Sequence, residues 1–251
     1  MTPLDLRSQL GAAMPGPGGA IGLADRLCNA CVTLLGVDGA AISIISQGVT
    51  WGTFGSSGAL SKRLDEMQFT FGEGPCLEAV RQGRPVLVPD VGDPGDVRWP
   101  ALSEAMLRSG VKAVFAWPVT IAASHVGALD LFRNSVGMVT DDAMSGASWA
   151  AELAALPLLD LMTDSDGDDA HETEDGWARL ESLDRLEVYR ATGMVMVQLD
   201  VGPAEALVRL RAHAFAHDLT ASEVAWSILD RRLVMDTDDR WEQPGSAEHA
   251  S

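Results

Sequence analysis

The chain has 251 residues, 47% of them hydrophobic, and a formal net charge of −18. This composition is typical of a globular protein with one or two domains and argues against wholesale disorder. No apolar run approaches the ~18 residues that a membrane-spanning helix needs, and the N-terminus lacks the order of a secretory signal, so we expect a cytoplasmic protein without a membrane partner. The negative charge argues against nonspecific nucleic-acid binding, because phosphates attract dense Lys and Arg.

The first two thirds of the chain alternate between helical and extended patterns. Residues 1–20 include a Gly/Pro cluster, from which we expect a flexible N-terminal lead. In chain order, the elements predicted after it are a helix at Ile21–Leu35, strands at Ala40–Ile45 and Val49–Phe54, an extended segment at Gln68–Phe71, a helix beginning at Pro75, a strand at Arg84–Asp90, a helix that follows Trp99–Leu102 and ends near Gly110, strands at Ala113–Val119 and Val126–Phe132, and a helix from Thr140 to Leu161. Helices inserted between strands in this way predict an α+β fold around an antiparallel sheet.

Four sequence pieces within residues 21–161 carry a resemblance to a known family. They are Gly72–Ala79, Arg84–Val86, Ala113–Val119 and Val126–Leu131. On these pieces residues 21–161 resemble a GAF domain, a widespread small-molecule sensor. The resemblance implies an antiparallel sheet flanked by helices and a signal, small molecule or protein, received by this part of the chain. It leaves the ligand unknown.

Candidate sensor residues lie where a ligand contact or a reactive thiol is chemically reasonable: Cys76, Arg84, Trp99 and Trp117. Cys76 stands near a predicted helix start, where a thiolate is stabilised, but a buried thiol packed as a small hydrophobe is the alternative. Arg84 and Trp99 lie where predicted loops lead into a strand and a helix, and loops often carry ligand contacts. Scaffold ion pairs or core packing remain the alternatives for these residues, and for Trp117 on its strand.

No motif for catalysis or metal binding stands out. The chain lacks a nucleophile elbow, a phosphate loop and a His-Glu-x-x-His pair, so we expect no enzyme and no cofactor. Cys28 and Cys31 form a single Cys-x-x-Cys on a predicted helix. One such pair cannot complete a tetrahedral zinc site, so the sequence predicts buried thiols there and no metal centre.

The C-terminal third begins with an acidic segment. Residues 160–176 contain eight acids and no Lys or Arg. We interpret 162–177 as a solvated linker, although its acids could also compete with RNA for a nearby arginine face. Three amphipathic helices are predicted within 178–235, a segment that contains seven arginines and eight acidic residues. Thr220 and Glu223 are expected to form a capping box at the start of the third helix. Residues 236–251 are expected to be a frayed tail.

An ordered series of short pieces within 178–235 resembles the ANTAR family. The pieces are Ala191–Met196, Ala204–Leu207, Leu210–Ala214, Ser222–Ala225 and Ile228–Leu229. ANTAR domains are all-α, three-helix output modules of bacterial antitermination regulators and bind paired RNA hairpins. The order of the two resemblances, GAF and then ANTAR, also resembles the domain order of many actinobacterial regulators.

The ANTAR resemblance implies a set of RNA-contacting residues: Arg190, Ala191, Thr192, Gly193, Arg209, Arg211 and His213. Arginines suit phosphates and splayed bases, and a glycine permits close backbone approach. Family members usually carry Lys where Thr192 stands, so one cation of that surface is missing. The hypothesis is therefore a homodimeric, signal-responsive antitermination regulator. The alternative is a protein-interaction or redox-sensing dimer whose ANTAR-like output no longer binds RNA.

Overall fold

The computed structural model describes residues 3–46, 49–163, 186–235 and 241–242. The chain divides into two compact units, Met1–Asp184 and Arg185–Ser251. We call them the N-terminal unit and the C-terminal unit. Within the described ranges, no helix combines the length and apolarity needed to cross a membrane.

The described part of the N-terminal unit is a mixed helix and strand assembly. In chain order its elements are α1 (Pro3–Ala13), α2 (Gly19–Leu35), β1 (Gly39–Ser46), β2 (Val49–Ser56), α3 (Ala59–Phe71), α4 (Pro75–Gln82), β3 (Val86–Val88), α5 (Pro100–Arg108), β4 (Ala113–Ile121), β5 (Ser124–Arg133) and α6 (Asp141–Thr163). The strands form one sheet in the order β2-β1-β5-β4-β3, and every neighbouring pair is antiparallel. The predicted α+β fold with a helix-flanked antiparallel sheet is confirmed.

Successive side chains of the central strands point to opposite faces of the sheet, as the two-residue period of a strand requires. Phe115, Trp117 and Leu129 join the core that contains residues of α2 and α6. The alternate residues Val114 and Ala116 join a second core formed with α3, α4 and α5. The sheet is therefore a middle layer with helices on both sides.

The predicted flexible lead over residues 1–20 is wrong for much of its length. Pro3–Ala13 forms α1, and the side chains of Leu6, Leu10 and Met14 are only 2%, 0% and 4% exposed. Their spacing of four residues places them on one helix face, which packs into the core with α2 and α6. The Gly/Pro cluster that follows only separates α1 from α2.

The extended segment predicted at Gln68–Phe71 is also wrong, because these residues complete α3. The helix ends at Gly72, which adopts a left-handed φ of 68°. Its buried face includes Ser61, Asp65 and Gln68, so the apolar stripe that marks an amphipathic helix in a sequence is interrupted by polar residues.

The described part of the C-terminal unit contains three helices, as predicted, followed by two short strands. They are α7 (Leu186–Leu199), α8 (Pro203–Ala216), α9 (Ala221–Leu229), β6 (Val234–Met235) and β7 (Trp241–Glu242). Val195, Leu210 and Ile228 contribute one fully buried side chain from each helix. The capping box at α9 is confirmed: the Glu223 N–H donates to Thr220 Oγ1 over 3.2 Å, and the Thr220 N–H donates to a Glu223 carboxylate oxygen over 2.6 Å.

Two predictions concern segments at the borders of this unit. The interpretation of 162–177 as a solvated linker falls almost wholly on residues 164–185, which lie outside the described part of the chain. The frayed tail predicted for 236–251 needs correction at Trp241–Glu242, which pairs antiparallel with Val234–Met235. The remainder of that segment also lies outside the described residues.

Candidate functional site

A cluster of buried polar side chains lies between the sheet and helices α3 and α4. We call it the polar cluster; its members are Ser43 on β1, Thr53 on β2, Asp65 and Gln68 on α3, Cys76 on α4 and Asp130 on β5. All except Thr53, which is half-buried, are fully or almost fully buried. Polar groups withdrawn from water in this way are costly unless they find partners, so their pairing decides what the cluster does.

Hydrogen bonds account for most of the polar atoms. The Ser43 hydroxyl donates to Asp65 Oδ1, and the Thr53 hydroxyl donates to Asp65 Oδ2 over 2.5 Å. Gln68 Nε2 donates to Asp130 Oδ2, and Gln68 Oε1 accepts from the backbone N–H of Cys76 over 3.0 Å. Gln68 therefore links β5 to the first turn of α4.

Asp130 is the exception in this network. It occupies the centre of the sheet, opposite Ala41 on β1 and Ala116 on β4, and has no exposed surface. Its Oδ1 atom has no hydrogen-bond partner within the described part of the chain. Burial raises the pKa of Asp130 well above the usual range, the Asp65 charge raises it further, and the hydrogen bond from Gln68 opposes the shift.

A cleft of about 600 Å³ opens beside α4. It is lined by Gly72, Glu73, Gly74, Leu77, Glu78, Val80, Arg81, Arg98 and Trp99. Gly74 lines the cleft and also lies directly against Gln68 of the polar cluster. The approach is so close that a Cβ atom at this position would collide with the Gln68 amide. Its φ of 145° is also one that residues with side chains rarely adopt.

Arg98 holds one wall of the cleft in place. Its guanidinium pairs with Asp96 at 2.6 Å and with Glu78 at 3.2 Å, and lies 4.4 Å from the centre of the Trp99 ring. The bond to Asp96 raises the pKa of Arg98, and the same bond lowers the pKa of Asp96. The wall thus combines a positive charge with an aromatic face, a suitable surface for a small polar ligand.

The comparison with known families decides what the N-terminal unit is. The profile of the GAF domain matches residues 21–156, which is more than half of the chain. The chain belongs to the GAF family. A GAF domain indicates a role in sensing or signalling.

Solved structures similar to the chain include other GAF domains. The GAF domain of an Acinetobacter phosphoenolpyruvate-protein phosphotransferase is 13% identical, with 62% of this chain and 94% of that chain covered and a TM-score of 0.46. A domain of a sensor histidine kinase from Sinorhizobium meliloti is 17% identical, with 65% and 98% covered and a TM-score of 0.47. The reduced form of fRMsr from Staphylococcus aureus is 15% identical, with 62% and 94% covered and a TM-score of 0.46. A search of curated protein sequences gave no match.

The four sensor residues predicted from the sequence occupy different places in the GAF domain. Cys76 belongs to the polar cluster, and Trp99 lines the cleft. Arg84 is exposed beyond the end of α4. Trp117 is 3% exposed in the core on the opposite side of the sheet from Asp130, so the structure does not bring it together with the other candidates.

The thiols of Cys28 and Cys31 lie on α2 in the same core as Trp117, as expected for packed residues. Burial raises the pKa of Cys31 to about 12 and that of Cys28 well above its usual range. Both thiols are therefore protonated near neutral pH, like other small side chains of the core.

Most members of the polar cluster were not predicted as site residues. A signal existed for Asp130, because a carboxylate in the apolar run Ala128–Phe132 is unusual for a central strand. Asp65 and Gln68 gave no comparable signal. Polar residues at helical spacing usually mark a solvated face, and only the packing of α3 on the sheet buries them.

Outside the GAF domain, one face of α7 carries part of the predicted RNA-contacting set. Arg190 is exposed, Gly193 is half-buried and Val197 is 85% exposed. Their spacing of three and four residues puts them on one side of the helix. Ala191 and Thr192 lie on the opposite, buried face, where the Thr192 hydroxyl donates to the Val188 carbonyl over 2.7 Å. The Thr192 side chain therefore packs inside the C-terminal unit.

The predicted residues of α8 are less exposed than an isolated amphipathic helix would suggest. Arg209 is half-buried and pairs with Glu205 at 2.6 Å, and Arg211 is also half-buried. The His213 ring is 9% exposed and stacks on His217 with 4.0 Å between the ring centres. Burial lowers the pKa of His213 to about 4, with a further contribution from His217, so this side chain is neutral near pH 7.

Proposed function

We propose that the chain is a signal-responsive, RNA-binding regulator of transcription antitermination, in which the GAF domain controls an ANTAR-like output. The output would bind paired RNA hairpins as a homodimer. The ordered sequence pieces that resemble ANTAR support this proposal, as does their distribution over three helices that share one core.

The observation that carries the proposal is Gly193. It lies in the interior of α7, where glycine costs about 1 kcal/mol relative to alanine. A Cβ atom at this position would meet no described atom within 4 Å, so packing among the described residues does not require glycine. A glycine without a packing role, beside the exposed Arg190, fits a surface that another backbone approaches closely.

Arginine supply is the second support. Arg190, Arg209 and Arg211 offer guanidinium groups that can donate two hydrogen bonds to a phosphate or stack on an unpaired base. To bind a phosphate, Arg209 would give up its ion pair with Glu205. Losing that pair costs little, because ion pairs at the surface contribute about 0–1 kcal/mol. A few such contacts give selective binding without a broad basic surface.

On the sensor side, we propose that the signal is received in the cleft beside α4 or in the adjoining polar cluster. Glu73 supports this position: its carboxylate accepts from the Leu102 N–H at the start of α5 over 3.2 Å. A ligand in the cleft would therefore contact the short loop between α3 and α4, which Glu73 also joins to α5 by this hydrogen bond.

The test is a titration of the full-length protein with a two-hairpin RNA at several salt concentrations. We expect loop-dependent binding that weakens as salt rises and is reduced at least tenfold by the Arg209→Ala/Arg211→Ala pair of substitutions. The matched control is Arg231→Ala/Arg232→Ala, which removes the same charge from two exposed arginines of the same unit. Absence of loop-dependent binding at low salt by the folded dimer, or equal losses in both double variants, would refute the proposal.

A protein-interaction output is the second candidate, favoured by exposed apolar side chains on the three helices. Val197, Val208, Phe215 and Trp226 are 85%, 62%, 52% and 54% exposed. Burial of such residues against a protein would be insensitive to salt and to RNA loop sequence. Redox sensing by Cys76 receives less support, because its side chain has no exposed surface.

A further inference from the structure

We propose that Asp65, Cys76 and Asp130 bind a divalent first-row transition metal ion inside the GAF domain. One oxygen of each carboxylate and the Cys76 Sγ atom lie within 4.8 Å of one another. The three residues come from α3, α4 and β5, so the fold alone creates this arrangement. The proposal concerns the GAF domain only and does not depend on RNA binding by the C-terminal unit.

The donor set selects the class of ion. Two carboxylates and one thiolate supply negative charge and mixed oxygen and sulfur ligands, which zinc and its neighbours accept and which calcium and magnesium do not favour. Three protein ligands leave one position open in a tetrahedral site. That position is available for water or a signal molecule, as in metal centres with exchangeable ligands.

An independent observation points to a missing partner. Asp130 has no exposed surface, and no residue that the structure describes forms a hydrogen bond with its Oδ1, although buried carboxylate oxygens are normally satisfied. Among the described residues, the interactions assigned to this carboxyl group are the Gln68 amide and the repulsive Asp65 charge. A divalent cation between the two carboxylates would supply the missing contact and remove the repulsion.

The surrounding hydrogen bonds fit the same role. Metal ligands are usually oriented by groups behind them, and such partners are needed for tight binding. Ser43 and Thr53 each donate to one oxygen of Asp65, while Gln68 holds Asp130 from the side of Oδ2. Asp130 Oδ1 is left for the ion.

The distances require only a modest closure. Metal bonds of about 2.0–2.3 Å in a tetrahedron separate the ligand atoms by roughly 3.3–3.8 Å. The three ligand atoms, now within 4.8 Å of one another, need to approach by about 1 Å, which rotation of the side chains can supply. Gly74 lines the cleft and contacts Gln68, so the cleft lies next to the proposed site.

The test uses the full chain after removal of metals with a chelator. Zinc should bind with one-to-one stoichiometry and raise the unfolding temperature of the GAF domain. Cobalt should give intense tetrahedral absorption bands and a thiolate-to-cobalt charge-transfer band in the near ultraviolet. Cys76→Ser should abolish the charge-transfer band, and Asp130→Asn should weaken zinc binding by more than about 100-fold.

Controls separate this site from other binding on the same chain. Cys28→Ser/Cys31→Ser should retain the charge-transfer band, which excludes the other two thiols as its source. The acids at 160–176 offer a weak alternative site, whose binding would survive both Cys76→Ser and Asp130→Asn. Zinc binding that is unchanged in those two variants would overturn the proposal. If the variants do not fold, the wild-type cobalt spectrum decides, because the absence of a thiolate band also overturns it.

Discussion

Replacing Gly193 with alanine should make the protein more stable and a weaker RNA binder. The two effects have opposite signs because they arise from different properties of the same position. In the folded chain, Gly193 lies inside α7 with open space where a Cβ would stand, so alanine causes no collision. In the proposed complex, the added methyl group occupies the surface approached by the RNA backbone.

The size of the stability effect follows from helix propensity. Glycine is about 0.8–1.0 kcal/mol less favourable than alanine in a helix interior. For a unit of this size, a gain of about 1 kcal/mol raises the unfolding temperature by about 4–8 °C. We expect RNA affinity to fall at least tenfold, equivalent to about 1.4 kcal/mol of binding free energy.

The assays are thermal unfolding monitored by circular dichroism and titration with a labelled two-hairpin RNA. Gly11→Ala is the matched control, because Gly11 also lies in a helix, in the N-terminal unit, and an added Cβ would meet no atom of the described ranges within 4 Å. This control should stabilise the protein without changing RNA affinity. A destabilised Gly193→Ala protein would show that glycine is required by the fold. A stabilised variant with undiminished affinity would show that RNA does not approach this face.

The remaining predictions test burial and capping. In chemical denaturation, Leu10→Ala should lower the free energy of unfolding by about 2–5 kcal/mol, because it removes a fully buried side chain of α1. The control Ser8→Ala, on the exposed face of the same helix, should change it by less than about 0.5 kcal/mol. Thr220→Ala should cost about 1 kcal/mol in the same measurement, through loss of the capping box. The pKa of His213 is about 4 in the folded protein and near 6.5 in the unfolded chain, so the unfolded chain binds the proton first as the pH falls. The free energy of unfolding should therefore drop by roughly 1 kcal/mol between about pH 7 and about pH 5. The drop should be smaller in the His213→Gln variant. Finally, the three buried cysteines should react with a thiol reagent only on unfolding, so rapid labelling of the native protein would contradict their burial.

The sequence identified those elements whose local pattern agrees with their tertiary surroundings. The strands Ala113–Ile121 and Ser124–Arg133 carry continuous apolar residues and a short turn, and they pair as predicted. Several helix ends could also be predicted from single residues. Gly36 ends α2, Pro75 begins α4 and Thr220 caps the start of α9, each at a position that its backbone or side-chain chemistry favours.

Prediction failed where local propensity and tertiary packing disagree. Phe69–Phe71 has the β-branched and aromatic residues of a strand, yet the packing of α3 against the sheet makes it helical. The segment Pro3–Ala13 appeared flexible because of the neighbouring glycines and prolines. Only the presence of a complementary apolar surface on α2 and α6 turns its leucines into core residues.

The sequence by itself determined the order of helices and strands and the resemblance of this chain to GAF and ANTAR domains, because both depend on local periodicity and ordered motifs. It could not determine the polar cluster. Asp65, Cys76 and Asp130 belong to three separate elements, and only Asp130, as a carboxylate within an apolar strand, and Cys76, near a helix start, stand out locally; nothing in the sequence shows that the three meet. The tertiary structure brings them within 4.8 Å and removes them from water. Burial and the nearby Asp65 charge raise the pKa of Asp130, and both effects arise only when the helices pack on the sheet.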